Sequence, residues 1–165
     1  MAKNILYSKR QRLIEKYGFM AESVKLTIPS DPKYLSLVRK VVSHLLTNHK
    51  VARELIPRLV LCIDEACSNI IKYSYSECRD QPIEMGFSLA DHLFTIKIRD
   101  FGKQCDPKDI KPRSIHEIKP GGLGTYFINE IMDEVKYCTD RDEGTLLTMC
   151  KNLKGEMAST QKGDG

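Results

Sequence analysis

Three groups of residues in this chain combine types and spacings suited to chemistry. Glu65 and Asn69 stand four apart in a helical stretch and off its apolar stripe, so they project together from another face, about 5 to 6 Å apart at Cβ. A carboxylate beside a neutral carbonyl oxygen suits Mg²⁺, a hard cation that prefers oxygen, and the carboxylate can accept a proton from an attacking hydroxyl. Asp100 and Gly102 close a strand-like run, offering a carboxylate acceptor and a point where backbone can approach a flat ligand. Gly121, Gly122 and Gly124 lead straight into a helix, whose N-terminus presents unpaired N–H groups and the positive end of the macrodipole to a phosphate. Each group alone also fits an ordinary feature: a solvated helix face, a strand-end turn, a tight glycine turn. The glycine run is not a Walker loop, because no Lys-Ser or Lys-Thr follows Gly124 and no strand closely precedes it.

The elements that must position these residues follow from hydrophobic periodicity. Val24, Leu26 and Ile28 alternate with Lys25 and Thr27, which predicts a strand over 23–28 ended by Pro29. Ser30 or Asp31 caps a helix with Pro32 at its first position, and apolar residues from Tyr34 to Leu46 recur at helical spacing to about Thr47. A second helix runs from near Pro57 to about Tyr73, with Ile56, Leu59, Val60, Ile63, Ala66, Cys67 and Ile70 as its buried stripe. Runs 82–89 and 92–99, separated by Ala90 and Asp91, predict an antiparallel hairpin. Periodicity is lost over 103–124, where Pro107, Pro112, Pro120 and the glycines make a long loop, the kind that serves as a lid or is disordered. A helix with Tyr126, Phe127, Ile128, Ile131 and Met132 follows, then short strands near 135–138 and 144–150.

The order of the groups is more informative than any one of them. Asp64-Glu65-Ala66-Cys67-Ser68-Asn69, then Arg99-Asp100-Phe101-Gly102, then Gly121-Gly122-Leu123-Gly124, then Gly144-Thr145 resembles the asparagine box and the three glycine boxes of the GHKL ATPase superfamily, that of gyrase, sensor histidine kinases and MutL. The resemblance covers residues 24–151, and Met132-Asp133-Glu134-Val135 with the wording around Asn69 is similar to the anti-sigma-factor serine/threonine kinases of bacterial partner switching. It implies an α/β two-layer sandwich of the histidine kinase-like ATPase (Bergerat) type, a mixed, mainly antiparallel sheet with helices on one face.

By that resemblance the cofactors are ATP and Mg²⁺. Glu65 is the implied general base and Asn69 the implied Mg²⁺ ligand; Asp100 accepts from the adenine amino group, Gly102 admits the base and Thr145 supports its pocket. Gly121, Gly122, Leu123, Gly124 and Thr125 cradle phosphate, while Lys119, and less directly Arg113, reaches the γ-phosphate or is a solvated loop charge. The implied partners are a STAS-type anti-anti-sigma antagonist, a sigma factor and a second copy of the chain, with Arg39 at a partner interface or simply an exposed helix charge. The implied alternative to a kinase is an ATP-binding regulatory module of the same fold. Two departures stand out: Gln104 replaces a common second glycine, which implies a stiffer loop hinge, and Tyr73 replaces a common histidine.

Composition is consistent with this and excludes other classes. At 165 residues, 41% hydrophobic and 29% charged, the chain has room for one globular domain, expected over 21–154 between a basic arm at 1–20 and a disordered tail at 155–165. No apolar run approaches the roughly 18 to 20 residues of a membrane helix and no signal peptide opens the chain, so a cytoplasmic protein without membrane contact is expected. A net charge of +4 is too mild for a dedicated nucleic-acid binder. Six cysteines without a Cys-x-x-Cys pair read as reduced, mostly buried thiols rather than a zinc site.

Overall fold

The computed structural model describes residues 23–104, 123–139 and 143–157. The alternating segment Ser23–Pro29 forms β1, an edge strand antiparallel to β2 (Pro82–Ala90). Pro29 belongs to the strand instead of lying beyond it, opposite Pro82; a residue without a backbone donor is tolerated at the end of an edge strand. Asp31, not Ser30, caps the next segment, accepting from the Lys33 N–H at 3.1 Å. Ser30 is buried and bridges strands instead, its hydroxyl donating to the Cys78 carbonyl and accepting from the Gln81 N–H. The capped turn Pro32–Tyr34 is 3₁₀ and runs into α1 (Leu35–Asn48), which buries Leu35, Val38, Val42 and Leu46.

Helix α2 (Ile56–Asn69) turns Leu59, Cys62, Ile63, Ala66 and Cys67 into the core. It does not continue as α-helix to Tyr73. At Ile70–Ser74 it widens to a π-turn, closed by Tyr75 N–H donating to the Ile70 carbonyl at 3.0 Å. The extra residue per turn lets Ile70 and Ile71 both bury their branched side chains and carries Ser74 and Tyr75 toward the end of the neighbouring strand.

Strand β2 and β3 (Leu93–Arg99) form the expected hairpin, but its turn is Asp91-His92, one residue later than the sequence spacing predicts. Both turn residues have positive φ, 49° and 61°, as a two-residue turn matched to strand twist requires. This register sets Leu89 opposite Phe94, Phe87 opposite Ile96 and Met85 opposite Ile98, and a slip by one would turn that whole row to solvent. β4 (Glu134–Cys138) and β5 (Leu146–Asn152) complete a five-stranded sheet in the order β1-β2-β3-β5-β4, and every pairing among the described residues is antiparallel. The sheet's buried row packs with α1, α2 and α3 (Leu123–Ile131) in one hydrophobic core.

Among the described residues no helix is long and apolar enough to cross a membrane. Met132-Asp133-Glu134-Val135 is a structural joint: Asp133 accepts from Lys151 Nζ and the Asn152 N–H, and donates its own N–H to the Cys150 carbonyl. Cys62, Cys67 and Cys150 are buried free thiols, whereas Cys78 is exposed and Cys138 half-buried; Cys105 lies outside the described residues. Residues 155–157, assigned to a disordered tail on sequence grounds, instead return to the body: Met157 bridges Val51, and Glu156 accepts from the Ala52 N–H at 2.8 Å.

Gly144 and Gly155 both have positive φ, 65° and 88°. A Cβ at Gly144 would overlap the Asp100 carbonyl, whereas one at Gly155 meets nothing within 4 Å. Gly155→Ala is therefore expected to cost only the backbone term, about 1 kcal/mol, and Gly144→Ala several times that, as read from paired urea melts.

Candidate functional site

Asp100 leaves β3 on the helix side of the sheet and is almost fully buried. Its N–H donates to the Thr145 carbonyl at 3.1 Å, and its carboxylate accepts from the Gly102 N–H at 3.0 Å. Burial pushes the carboxyl above its usual range, against the pull of the Gly102 and Thr145 backbone donors, nearby Arg99 and the Ser74 hydroxyl. Thr145 is also buried, and its Oγ1 has no hydrogen-bond partner among the described residues. A buried carboxylate beside an orphaned hydroxyl makes a polar socket in an otherwise apolar wall, and a ligand with matching donors and acceptors would satisfy it.

Two glycines make that socket possible. A Cβ at Gly102 would overlap the Ser74 carbonyl and lie 2.8 Å from Tyr75 Cδ1, and one at Gly144 would overlap the Asp100 carbonyl. Gly144 N–H donates to the Gly102 carbonyl at 3.1 Å, so the strand end and the chain entering β5 touch backbone to backbone. Arg99 braces the outside, donating to the Glu143 carbonyl and lying 5.1 Å from the Phe101 ring centroid.

Glu65 and Asn69 are both half-buried on α2, one turn apart. Gly124, in the first turn of α3, is packed directly on the Glu65 carboxylate: an added Cβ would overlap Oε2 and stand 3.0 Å from Cδ. The structure thus brings Glu65 to the start of the helix that follows the glycine run. Leu123 is exposed and Thr125 half-buried in that same turn, with the Thr125 carbonyl accepting from Asn129 Nδ2 at 2.8 Å. Lys119, Gly121, Gly122 and Arg113 lie outside the described residues. Arg39 sits apart from the socket, on α1, in a 2.7 Å ion pair with Asp64 that ties α1 to α2 beside Glu65. Gln104, in place of a glycine, donates to the Thr139 carbonyl at 3.1 Å, and Tyr73 is exposed. No cluster of three or more metal-ligating side chains occurs among the described residues.

Sequence reasoning missed Ser74 and Tyr75. The Tyr75 hydroxyl accepts from the Phe101 N–H at 2.8 Å and donates to the Pro82 carbonyl, while the Ser74 carbonyl accepts from the Lys103 N–H at 2.9 Å. Reading the helix on to Tyr73 hid them, since a π-turn has no residue signature of its own in Ile-Ile-Lys-Tyr-Ser.

The fold and this arrangement of carboxylates and glycines fit an ATPase class of domain. The family model of the histidine kinase-like ATPase domain matches residues 28–151, and the chain belongs to that family. Among curated relatives, the serine-protein kinase RsbW of Bacillus subtilis (strain 168) is 24% identical over 144 residues, 82% of this chain and 89% of its own length. RsbW of Bacillus velezensis is 26% identical over 141 residues, 81% of this chain and 87% of its own. Among solved structures, the SiaB-SiaC complex from Pseudomonas aeruginosa contains a chain similar at a TM-score of 0.65, with 10% identity, covering 89% of this chain and 99% of that one. The RsbU and RsbW domains of Rv1364c from Mycobacterium tuberculosis match at 0.60, with 16% identity, over 81% of this chain and 33% of that one. This chain therefore spans a third of that longer polypeptide. At these identities the structural likeness shows the fold.

Because the Asp100 carboxyl is raised in the folded state, its contribution to stability is full below the unfolded value and is lost as pH rises through the folded value. Above that folded value the ionised group opposes the unliganded fold. Asp100→Asn is expected to melt about 2 to 4 °C above the wild type at neutral pH, with the gap closing on acidification into the carboxylate range. A gap independent of pH would show that Asp100 is not the group responsible.

Proposed function

We propose that the chain is an ATP- and Mg²⁺-dependent protein serine/threonine kinase of a partner-switching system, acting in the cytoplasm on an anti-anti-sigma antagonist of STAS type. The observation that carries the nucleotide reading is the pairing of buried Asp100 with the unpartnered Thr145 hydroxyl. Adenine has an amino donor for the carboxylate and ring nitrogens for a hydroxyl donor, and Gly102 lets the turn that carries Asp100 pack flush on Ser74 and Tyr75 behind it. The relatives named serine-protein kinase RsbW support transfer to a protein serine.

In this reading residues 21–154 form the kinase domain. Asn69 holds the magnesium that neutralises phosphate charge, and Gly121, Gly122, Leu123, Gly124 and Thr125, with Lys119, hold the phosphates. Glu65 accepts the proton of the attacking hydroxyl, a role supported by its contact with Gly124 at the α3 N-terminus, where phosphate charge is favoured. Positioning and charge neutralisation supply most of the catalysis in phosphoryl transfer. The same protein binds a sigma factor in the alternative complex and works as a homodimer. The outer face of α1 with Arg39 serves as a docking surface, its guanidinium exchanging Asp64 for a partner carboxylate.

Incubation of the protein with Mg-ATP and a cognate antagonist should add one phosphate to the antagonist by intact mass. Glu65→Gln is expected to lower the transfer rate by at least about 100-fold while ATP still binds. Asn69→Ala should flatten the magnesium titration of ATP binding. ATP binding without transfer to any cognate antagonist would leave the regulatory module of the same fold as the correct reading.

A further inference from the structure

The carboxylate that would read the adenine amino group is aimed by backbone that has already left the sheet. The ladder between β3 and β5 ends at Arg99, so the N–H groups of residues 100–103 need partners elsewhere. Asp100 finds the Thr145 carbonyl and Gly102 the Asp100 carboxylate itself. Phe101 and Lys103 are satisfied from a single source, the end of the π-turn, through the Tyr75 hydroxyl and the Ser74 carbonyl. The Tyr75 ring is buried, and burial holds its hydroxyl above the ordinary phenol range, so its proton stays available to the Pro82 carbonyl. One oxygen thus joins the end of the α2 segment, the start of β2 and the turn that presents Asp100. Gly102 lies flush against the same Ser74–Tyr75 backbone and ring, so the turn has no slack on that side.

We propose that Tyr75 is a positioning residue for base recognition: by holding the Phe101 N–H it sets the direction of the Asp100 carboxylate, and through it the preference for a 6-amino over a 6-oxo purine. This rests on the nucleotide reading of Asp100 above. Tyr75 touches no base in this scheme and acts only through residues 100–102. Inosine triphosphate is the discriminating probe, since its purine carries a 6-oxo acceptor in place of the 6-amino donor and moves the nearest donor to N1–H, out of line with a carboxylate set for the 6-amino group.

The test measures dissociation constants for ATP and inosine triphosphate in wild type, Tyr75→Phe and Ser30→Ala, at a temperature where all three are folded. Ser30→Ala removes a buried hydroxyl that likewise bridges the segment after the π-turn, at Cys78 and Gln81, without touching residues 100–103. Wild type is expected to prefer ATP. In Tyr75→Phe the ATP constant should rise about tenfold, the loss of roughly one well-made hydrogen bond, with the inosine triphosphate constant nearly unchanged, while Ser30→Ala keeps the wild-type ratio. An unchanged ratio in Tyr75→Phe, or an equal fall in Ser30→Ala, overturns the proposal while leaving ATP binding at Asp100 intact. Failure of the wild type to prefer ATP removes the nucleotide reading and this inference together. Independently of any variant, the wild-type Phe101 amide should be protected from hydrogen exchange, and fast exchange there in a folded protein also overturns it.

Discussion

The site depends on three backbone segments meeting with no side chain between them. The end of β3, the chain entering β5 and the π-turn after α2 come together at Gly102, Gly144 and Ser74, and a single added carbon at either glycine would drive into a neighbouring carbonyl. Close packing of this kind converts local chemistry into geometry. Once the backbones are in contact, the Asp100 carboxylate has one place to go, between the Gly102 N–H and the core, and the Thr145 hydroxyl is buried beside it. Burial raises the cost of ionising Asp100 and leaves Thr145 without a partner among the described residues, so the fold carries unmet polar demand at this point.

A second contact links that end of the site to the opposite one. Helix α2 carries Glu65 and Asn69 along its body and Ser74 and Tyr75 at its widened end. Its apolar side is fixed by the sheet, so the residues facing the first turn of α3 and those facing the β3 turn are set by one rigid element. The absence of a side chain at Gly124 lets α3 settle onto the Glu65 carboxylate, and the Arg39–Asp64 pair steadies the helix from the α1 side. That pair is largely exposed, so its contribution to stability is small.

Most of the architecture was legible in the residues because each element keeps a strict period. Leu59, Ile63, Ala66 and Cys67 mark one buried helical face, and Phe94, Ile96 and Ile98 one buried strand face. Glu65 and Asn69 could be placed on one helix face by counting alone. What escaped was decided by geometry rather than composition. The π-turn at Ile70–Ser74 and the Asp91-His92 turn depend on one extra residue or one step of register, which periodicity over short windows does not resolve. Ser30 was a credible cap until the fold offered it a partner in the segment between the π-turn and β2. Residues 155–157 look like tail because small and polar types dominate there, yet one apolar residue, Met157, is enough to return them to Val51. The roles proposed for Glu65, Asp100 and the glycines came from their order along the chain, which no single element contains.

The helix bearing Glu65 also carries Cys62 and Cys67, both sealed in the core with thiols pushed up to about 12 by burial. At any physiological pH they are protonated and out of reach, so electrophiles and peroxides find no thiolate on this element while it stays folded. Cys67 Sγ lies against Met85 of β2 and Cys62 Sγ against the Phe127 carbonyl of α3, so separation of α2 from the sheet would expose the first and departure of α3 the second. The two sulfurs therefore act as silent clocks for the two packed faces of the helix that bears Glu65: their rates of alkylation count openings of the core.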